Sequence, residues 1–242
     1  MQTNIKTNPF VIAGLAIAVS TTTALAIDPT TFDDFQDGTV MGWGPDFAMN
    51  TFVDADAGPA GAGDFALRVS SDGNPFDGRV GSRSVAYNQD QWLGDWTGTG
   101  ITSIEFDARN PSAIDVELWI GIAGPGGVGS AGSGNTWVSL NSAALTAGQD
   151  WTHFSIPVLA SDFEEATNHS FGDIVSTLQG VTQIRLLNNI EGRIDPNTPN
   201  NFIGDEVEVD WYVDNIAAIA VPEPASLGLL GVAGLTLVRR RR

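Results

Sequence analysis

The 242-residue chain has no cysteine, so it has neither a disulfide framework nor thiol chemistry. Lysine occurs once, at Lys6, and histidine twice, at His153 and His169. Between residues 27 and 220 the basic side chains are six arginines, Arg68, Arg79, Arg83, Arg109, Arg185 and Arg193. They face 28 acids, for a net charge of −22. Phosphate contacts need clustered Lys and Arg, which argues against a nucleic-acid partner. A surface this acidic stays soluble by self-repulsion and attracts divalent cations. No apolar run reaches the roughly 20 residues of an ordinary membrane-spanning helix. Two shorter runs lie at the two ends of the sequence.

At the front, Lys6 and the amino terminus make a positive region, Phe10 to Val19 is apolar, and Ala24-Leu25-Ala26 is a small-x-small cleavage site. Residues 1–26 are thus expected to be a signal peptide cut after Ala26. At the back, Val221-Pro222-Glu223-Pro224 is held extended by its prolines. Ala225 to Val238 follows without a charge, then four arginines, Arg239 to Arg242. The apolar part is short for a span, and snorkelling arginines with local thinning would let it cross marginally. The arginines would stay on the cytoplasmic side. This arrangement resembles the PEP-CTERM sorting signal of Gram-negative bacteria. The resemblance implies an exosortase that cleaves near Pro222-Glu223-Pro224. It further implies a short transmembrane helix that holds the chain in the inner membrane transiently. The destination it implies is the cell surface or extracellular matrix of an exopolysaccharide-making, biofilm-type producer.

The 194 residues from 27 to 220 suffice for one domain with a real core. Their pattern is all-β. Ile104, Phe106 and Ala108 alternate with Glu105 and Asp107; Val116, Leu118, Ile120 and Ile122 alternate with Glu117, Trp119 and Gly121. Residues 152–156 and 207–214 show the same period of two, the mark of half-buried strands in a sandwich. Further strands are expected at 65–70, 83–87, 137–140 and 184–188, with one or two helical turns at 173–179 capped by Asp173.

Asp34-Phe35-Gln36-Asp37-Gly38 with Gly42-Trp43, Gly63-Asp64-Phe65-Ala66-Leu67-Arg68-Val69, and Trp211-Tyr212-Val213-Asp214-Asn215-Ile216 open, continue and close the domain. They resemble the first, second and last strands of galactose-binding-like jelly rolls of the carbohydrate-binding-module type. Gly94-Asp95-Trp96 and Gly100 to Asn110 are similar to a common extracellular domain of PEP-CTERM proteins. The resemblance implies a single jelly-roll β-sandwich over residues 27–220. It also implies a structural Ca2+ where the first and last strands meet, with Gln36, Asp64 and Asp214 at the ligand positions and Asp34 and Asp37 close by. Gln36 departs from the family's glutamate, and a neutral carboxamide weakens a site that wants six to eight hard oxygens. The competing reading is a turn at Asp37-Gly38 and a strand end at Asp214.

Seven tryptophans are many for this length. Trp43 and Trp211 fall in the apolar register and are expected in the core. Trp119 and Trp151 fall on the polar side of their strands and Trp92 and Trp96 in a polar loop, so these four are the candidates for a glycan-stacking platform. A second layer of core over the far side is the alternative. Catalysis has little to rest on: neither histidine has an HExxH-type partner and no G-x-S-x-G occurs. Gly127, Gly129 and Gly132 spell G-x-G-x-x-G between two expected strands, with no βαβ unit to use it. The leading expectation is an exported, non-enzymatic sandwich associated with polysaccharide of the matrix or envelope. A structural acidic surface coat and a glycan hydrolase or lyase are the alternatives.

Overall fold

A computed structural model describes residues 27–44, 50–74, 83–126, 135–166, 172–190, 202 and 204–221. The signal-peptide residues Ala24 and Ala26, the Pro222–Pro224 cleavage region, the glycine-rich 127–132 stretch and His169 lie outside them.

The strands in chain order are β1 (Phe32–Asp33), β2 (Thr51–Asp54), β3 (Ala66–Asp72), β4 (Val85–Asn88), β5 (Ile101–Arg109), β6 (Val116–Ala123), β7 (Thr136–Leu145), β8 (Thr152–Pro157), β9 (Phe163–Glu165), β10 (Gln183–Asn188) and β11 (Glu208–Ala220). A short α-helix, α1 (Ile174–Leu178), starts where Asp173 accepts the Ser176 N–H at 2.9 Å, the expected cap. The strands form two sheets. The first runs β2-β3-β11-β5-β8, with β1 also on β11; the second runs β4-β10-β6-β7-β9. Every pairing is antiparallel. The domain is the β-sandwich that the alternation implied, of the jelly-roll form that the resemblance implied.

β11 is the hub, because it pairs with β1, β3 and β5. It ends six residues beyond its period-two pattern, at Ala220 instead of Asp214. The register slips between Asp214 and Ala217, and Asn215 sits at φ +53°, so the alternation restarts there with Ile216 and Ala218 inward. That irregularity hid the second half of the strand from a strict alternation rule.

The core between the sheets holds Trp43, Trp211, Phe106, Leu67, Leu118 and Ile120, all at 0% exposure. Trp43 and Trp211 are where the sequence placed them. Trp92 and Trp96 correct the sequence reading: both belong to this core, at 0% and 1% exposure. Their indole N–H groups explain how a polar loop buries them. Trp92 donates to Asp33 Oδ2 at 2.6 Å and Trp96 to the Trp92 carbonyl at 3.0 Å. Asp33 also accepts from Trp43 Nε1 at 2.7 Å and from the Gln91 amide, and its burial raises the carboxyl pKa.

Candidate functional site

Asp214 lies opposite Asp107 where β11 bulges against β5. It is 1% exposed. Its Oδ1 accepts the Asn215 N–H at 2.7 Å, while Oδ2 is buried without a hydrogen-bond partner. Burial, and after it the charges of Asp64, Asp107 and Asp34, push its pKa up to about 7. Around it, Gln36 Nε2 donates to Asp64 Oδ1 at 2.6 Å, tying the opening motif to the loop before β3. Asp64 Oδ2 accepts the Ala60 N–H at 2.7 Å. Asp107 Oδ2 accepts the Asn215 amide at 2.9 Å, and its Oδ1 lies 3.0 Å from His153 Nδ1.

Gln36 is thus bonded to Asp64, and Asp34, Asp64 and Asp107 lie near enough to Asp214 for their charges to act on it. Asp37 is held elsewhere. Its carboxylate accepts the Thr39 N–H and hydroxyl at 2.8 Å each, which lowers its pKa, and it borders an open hollow with Asp28, Asp90 and Gln91. Among the described residues no three acid or histidine side chains stand close enough together to enclose a metal ion. The oxygens around Asp214 are nonetheless the hard donors calcium takes, and one of them is buried with nothing to bind.

Beside this cluster, the outward face of the first sheet carries a row that no single strand reveals. The registers Phe52↔Arg68, Arg68↔Tyr212 and Tyr212↔Arg109 place aromatic, cation, aromatic and cation on adjacent strands. The Arg68 guanidinium lies 4.9 Å from the Phe52 ring centre, and that of Arg109 lies 5.2 Å from the Tyr212 ring centre. Trp151, just before β8, meets Tyr212 edge-to-face at 6.5 Å and donates Nε1–H to the Ala57 carbonyl at 3.2 Å. Asp54 pairs with Arg68 at 3.3 Å and accepts the Tyr212 hydroxyl at 3.0 Å. Burial raises the Tyr212 pKa, so the phenol stays protonated and donating. Among the described residues no acid forms an ion pair with Arg109.

Among the described residues the second sheet carries no such row. Trp119 is 8% exposed and donates Nε1–H to the Asn189 carbonyl at 2.9 Å. It belongs to a second apolar cluster with Val85, Val138, Ala166, Leu187 and Phe202, on the side of β6 turned away from the main core. A Cβ at Gly121 would stand 2.6 Å from the Phe202 ring, so that glycine makes room for it. Arg185 lies under the same cover, 4.4 Å from the Phe202 ring centre and 5.3 Å from that of Tyr87, and donates to the Phe202 carbonyl at 2.6 Å. Burial lowers its pKa to about 10.

The four tryptophans expected to form one platform are thus dispersed. Trp92 and Trp96 are in the core, Trp119 is in the second cluster, and Trp151 alone stands on a half-exposed face. Arg68, Arg109, Phe52 and Asp107 gave no signal of their own, because their meaning comes from pairing between strands distant in sequence.

The comparisons with known proteins concern two different parts of the chain. Residues 220–242 match the PEP-CTERM protein-sorting motif, which marks an exported, exosortase-processed surface protein. No curated protein matches the chain in sequence. An exo-β-agarase structure aligns over 80% of this chain and 25% of its own, at 12% identity and TM-score 0.50. A family 11 carbohydrate-binding module from Clostridium thermocellum, in complex with a β-1,3-1,4-mixed-linked tetrasaccharide, covers 79% of this chain and 96% of its own, at 17% identity and TM-score 0.46. The CBM22-2 xylan-binding domain from Paenibacillus barcinonensis Xyn10C covers 79% and 99%, at 13% identity and TM-score 0.49. At such identities the likeness is one of fold.

Proposed function

We propose that the domain is a non-catalytic polysaccharide-binding sandwich, carried to the surface or matrix of a Gram-negative cell and binding glycan on the outward face of its first sheet. The observation that carries this reading is the row Phe52, Arg68, Tyr212 and Arg109 with Trp151 at its edge. Sugar rings stack on aromatic faces, and guanidinium, carboxylate and phenol groups take hydroxyls as acceptors or donors. The flanking Asp54, Asp107 and Asp214, and the net charge of −18, disfavour a polyanion and point to a neutral glycan.

A calcium ion belongs to the same proposal: since no three acids among the described residues stand close enough to enclose it as they are, its binding would have to draw Asp34, Asp64 and Asp107 in toward Asp214. It would offset the repulsion among them and fix the loop between β2 and β3, whose Ala57 carbonyl positions Trp151. Binding of the exported protein to xylan, mixed-linkage β-glucan and agarose, measured by affinity electrophoresis with and without calcium, tests the reading. Trp151→Ala is expected to weaken retention about tenfold, the scale of one lost aromatic anchor. Unchanged retention in that variant would remove this face as the binding surface.

A further inference from the structure

β11 delivers the chain into an apolar groove. The Val221 N–H donates to the Gly100 carbonyl at 3.0 Å, carrying the sheet one residue past the strand's end. There a groove of about 310 Å³ opens between the start of β5, the turn after β8 and α1. Trp96, Ile101 and Leu178 belong to the core behind it, and Leu159, Val175 and Val221 stand at its rim. These three rim residues are 49%, 49% and 59% exposed. No charged side chain lines it, on a chain whose net charge is −18.

We propose that this groove seats the apolar segment Ala225–Val238 of the same chain, sheltering it from water until the membrane takes it up. The position of the groove is the first argument. Val221 forms part of its wall, and only Pro222, Glu223 and Pro224 separate that residue from Ala225. Three extended residues span about 10 Å, so the segment starts beside the groove. The chemistry is the second. Leu227, Leu229, Leu230, Val232, Leu235 and Leu237 belong to a stretch without charge, and in water they need an uncharged, concave partner. The groove admits a few of these side chains, enough to engage one side of the segment. The tether is the third. A short link raises the local concentration of the segment to the millimolar range, so even weak apolar contacts keep the groove filled, whereas a separate partner must compete with it.

The absence of cysteine makes the test clean. V175C and L230C are introduced together in the full chain and oxidised gently without lipid. An intramolecular disulfide is expected for this pair. It is not expected for L140C with L230C, because Leu140 is equally exposed, at 50%, but lies on β7 of the other sheet. Adding L159D, a charge at the exposed rim, should cut the yield of the V175C/L230C disulfide severalfold while leaving the thermal melt in place. Equal yields from the two cysteine pairs, or indifference to L159D, overturn the proposal. Disulfides formed only between chains give the groove to a second copy, and absence of any disulfide denies it to the tail; either result overturns it too. None of these readouts depends on glycan binding.

Discussion

On β10 of the second sheet all six residues are buried, whereas on β5 of the first sheet Glu105, Asp107 and Arg109 stay half-exposed between buried neighbours. Both strands are interior, each paired on both sides. The difference is what covers them. Phe202 and its cluster close the outward side of the second sheet, and even Arg185 is enclosed there beside Tyr87. The first sheet keeps one side for the core and leaves the other to a row of rings and guanidinium groups. A buried arginine held by a backbone carbonyl serves packing, whereas one stacked on a half-exposed tyrosine without an acid partner is free to meet a ligand. The same residue type thus has opposite meanings on the two sheets, and substitutions can separate them.

The largest expected effect is on the covered sheet. Phe202→Ala empties the space over Gly121, Leu187 and Trp119, and large-to-small changes of this kind cost about 3–5 kcal/mol. For a domain of this size each kcal/mol lowers Tm by about 2–4 °C, so the melt should fall by roughly 6–20 °C. Glycan retention below the new Tm should be unchanged. A variant that melts normally but loses glycan would reverse the assignment of the two faces.

Next comes the acid cluster under the uncovered face. The folded-state pKa of Asp214 is about 7, against 3.8 for the free side chain. Between these values the folded protein holds a proton that the unfolded chain has released. Stability is therefore highest at the acid end and falls as pH rises toward 7, by an amount on the order of a few kcal/mol. Urea melts at pH 5 and pH 8 in a chelating buffer should show this slope, and Asp214→Asn should flatten it. Calcium should restore stability at pH 8 in the wild type, not in Asp214→Asn, and sodium chloride at matched ionic strength should not reproduce the gain. Equal responses of both proteins to calcium would reduce the cluster to a screened acidic surface.

The two sheets were not equally legible in the sequence. β5 could be read directly, since Ile104, Phe106 and Ala108 face inward and the alternation is unbroken. β6 shows the same alternation, yet Trp119 on its polar side is buried, because periodicity records which side differs and not whether that side is later covered. Trp92 and Trp96 misled for another reason. Their neighbours Gln91, Asp95 and Thr97 are polar, but Asp33, 59 residues from Trp92, receives its indole hydrogen and makes burial affordable. Of the motif residues, Gln36 and Asp64 share a hydrogen bond, and the charge of Asp64 acts on Asp214. Asp107 joined them only through strand register, as did every member of the aromatic and arginine row.

The smallest expected effect bears most directly on that row. Arg109→Lys keeps the charge and most of the stem but loses the planar fork that lies 5.2 Å from the Tyr212 ring. A cation–π contact at a partly exposed site is worth about 0.5–1 kcal/mol, so the domain should lose no more than that in stability. Binding should suffer in the same range, two- to fivefold by the relation of about 1.4 kcal/mol to a factor of ten, because lysine cannot present two parallel N–H groups to sugar hydroxyls. The same exchange at Arg185 should behave in the opposite sense. It breaks the bond to the Phe202 carbonyl and the stack with Tyr87 and so lowers Tm, with retention unchanged in what remains folded. If Arg109→Lys instead destabilises the protein as much as Arg185→Lys while leaving glycan retention intact, the arginine on the uncovered face is a packing residue like its counterpart, and the row holds the sheet together rather than a ligand.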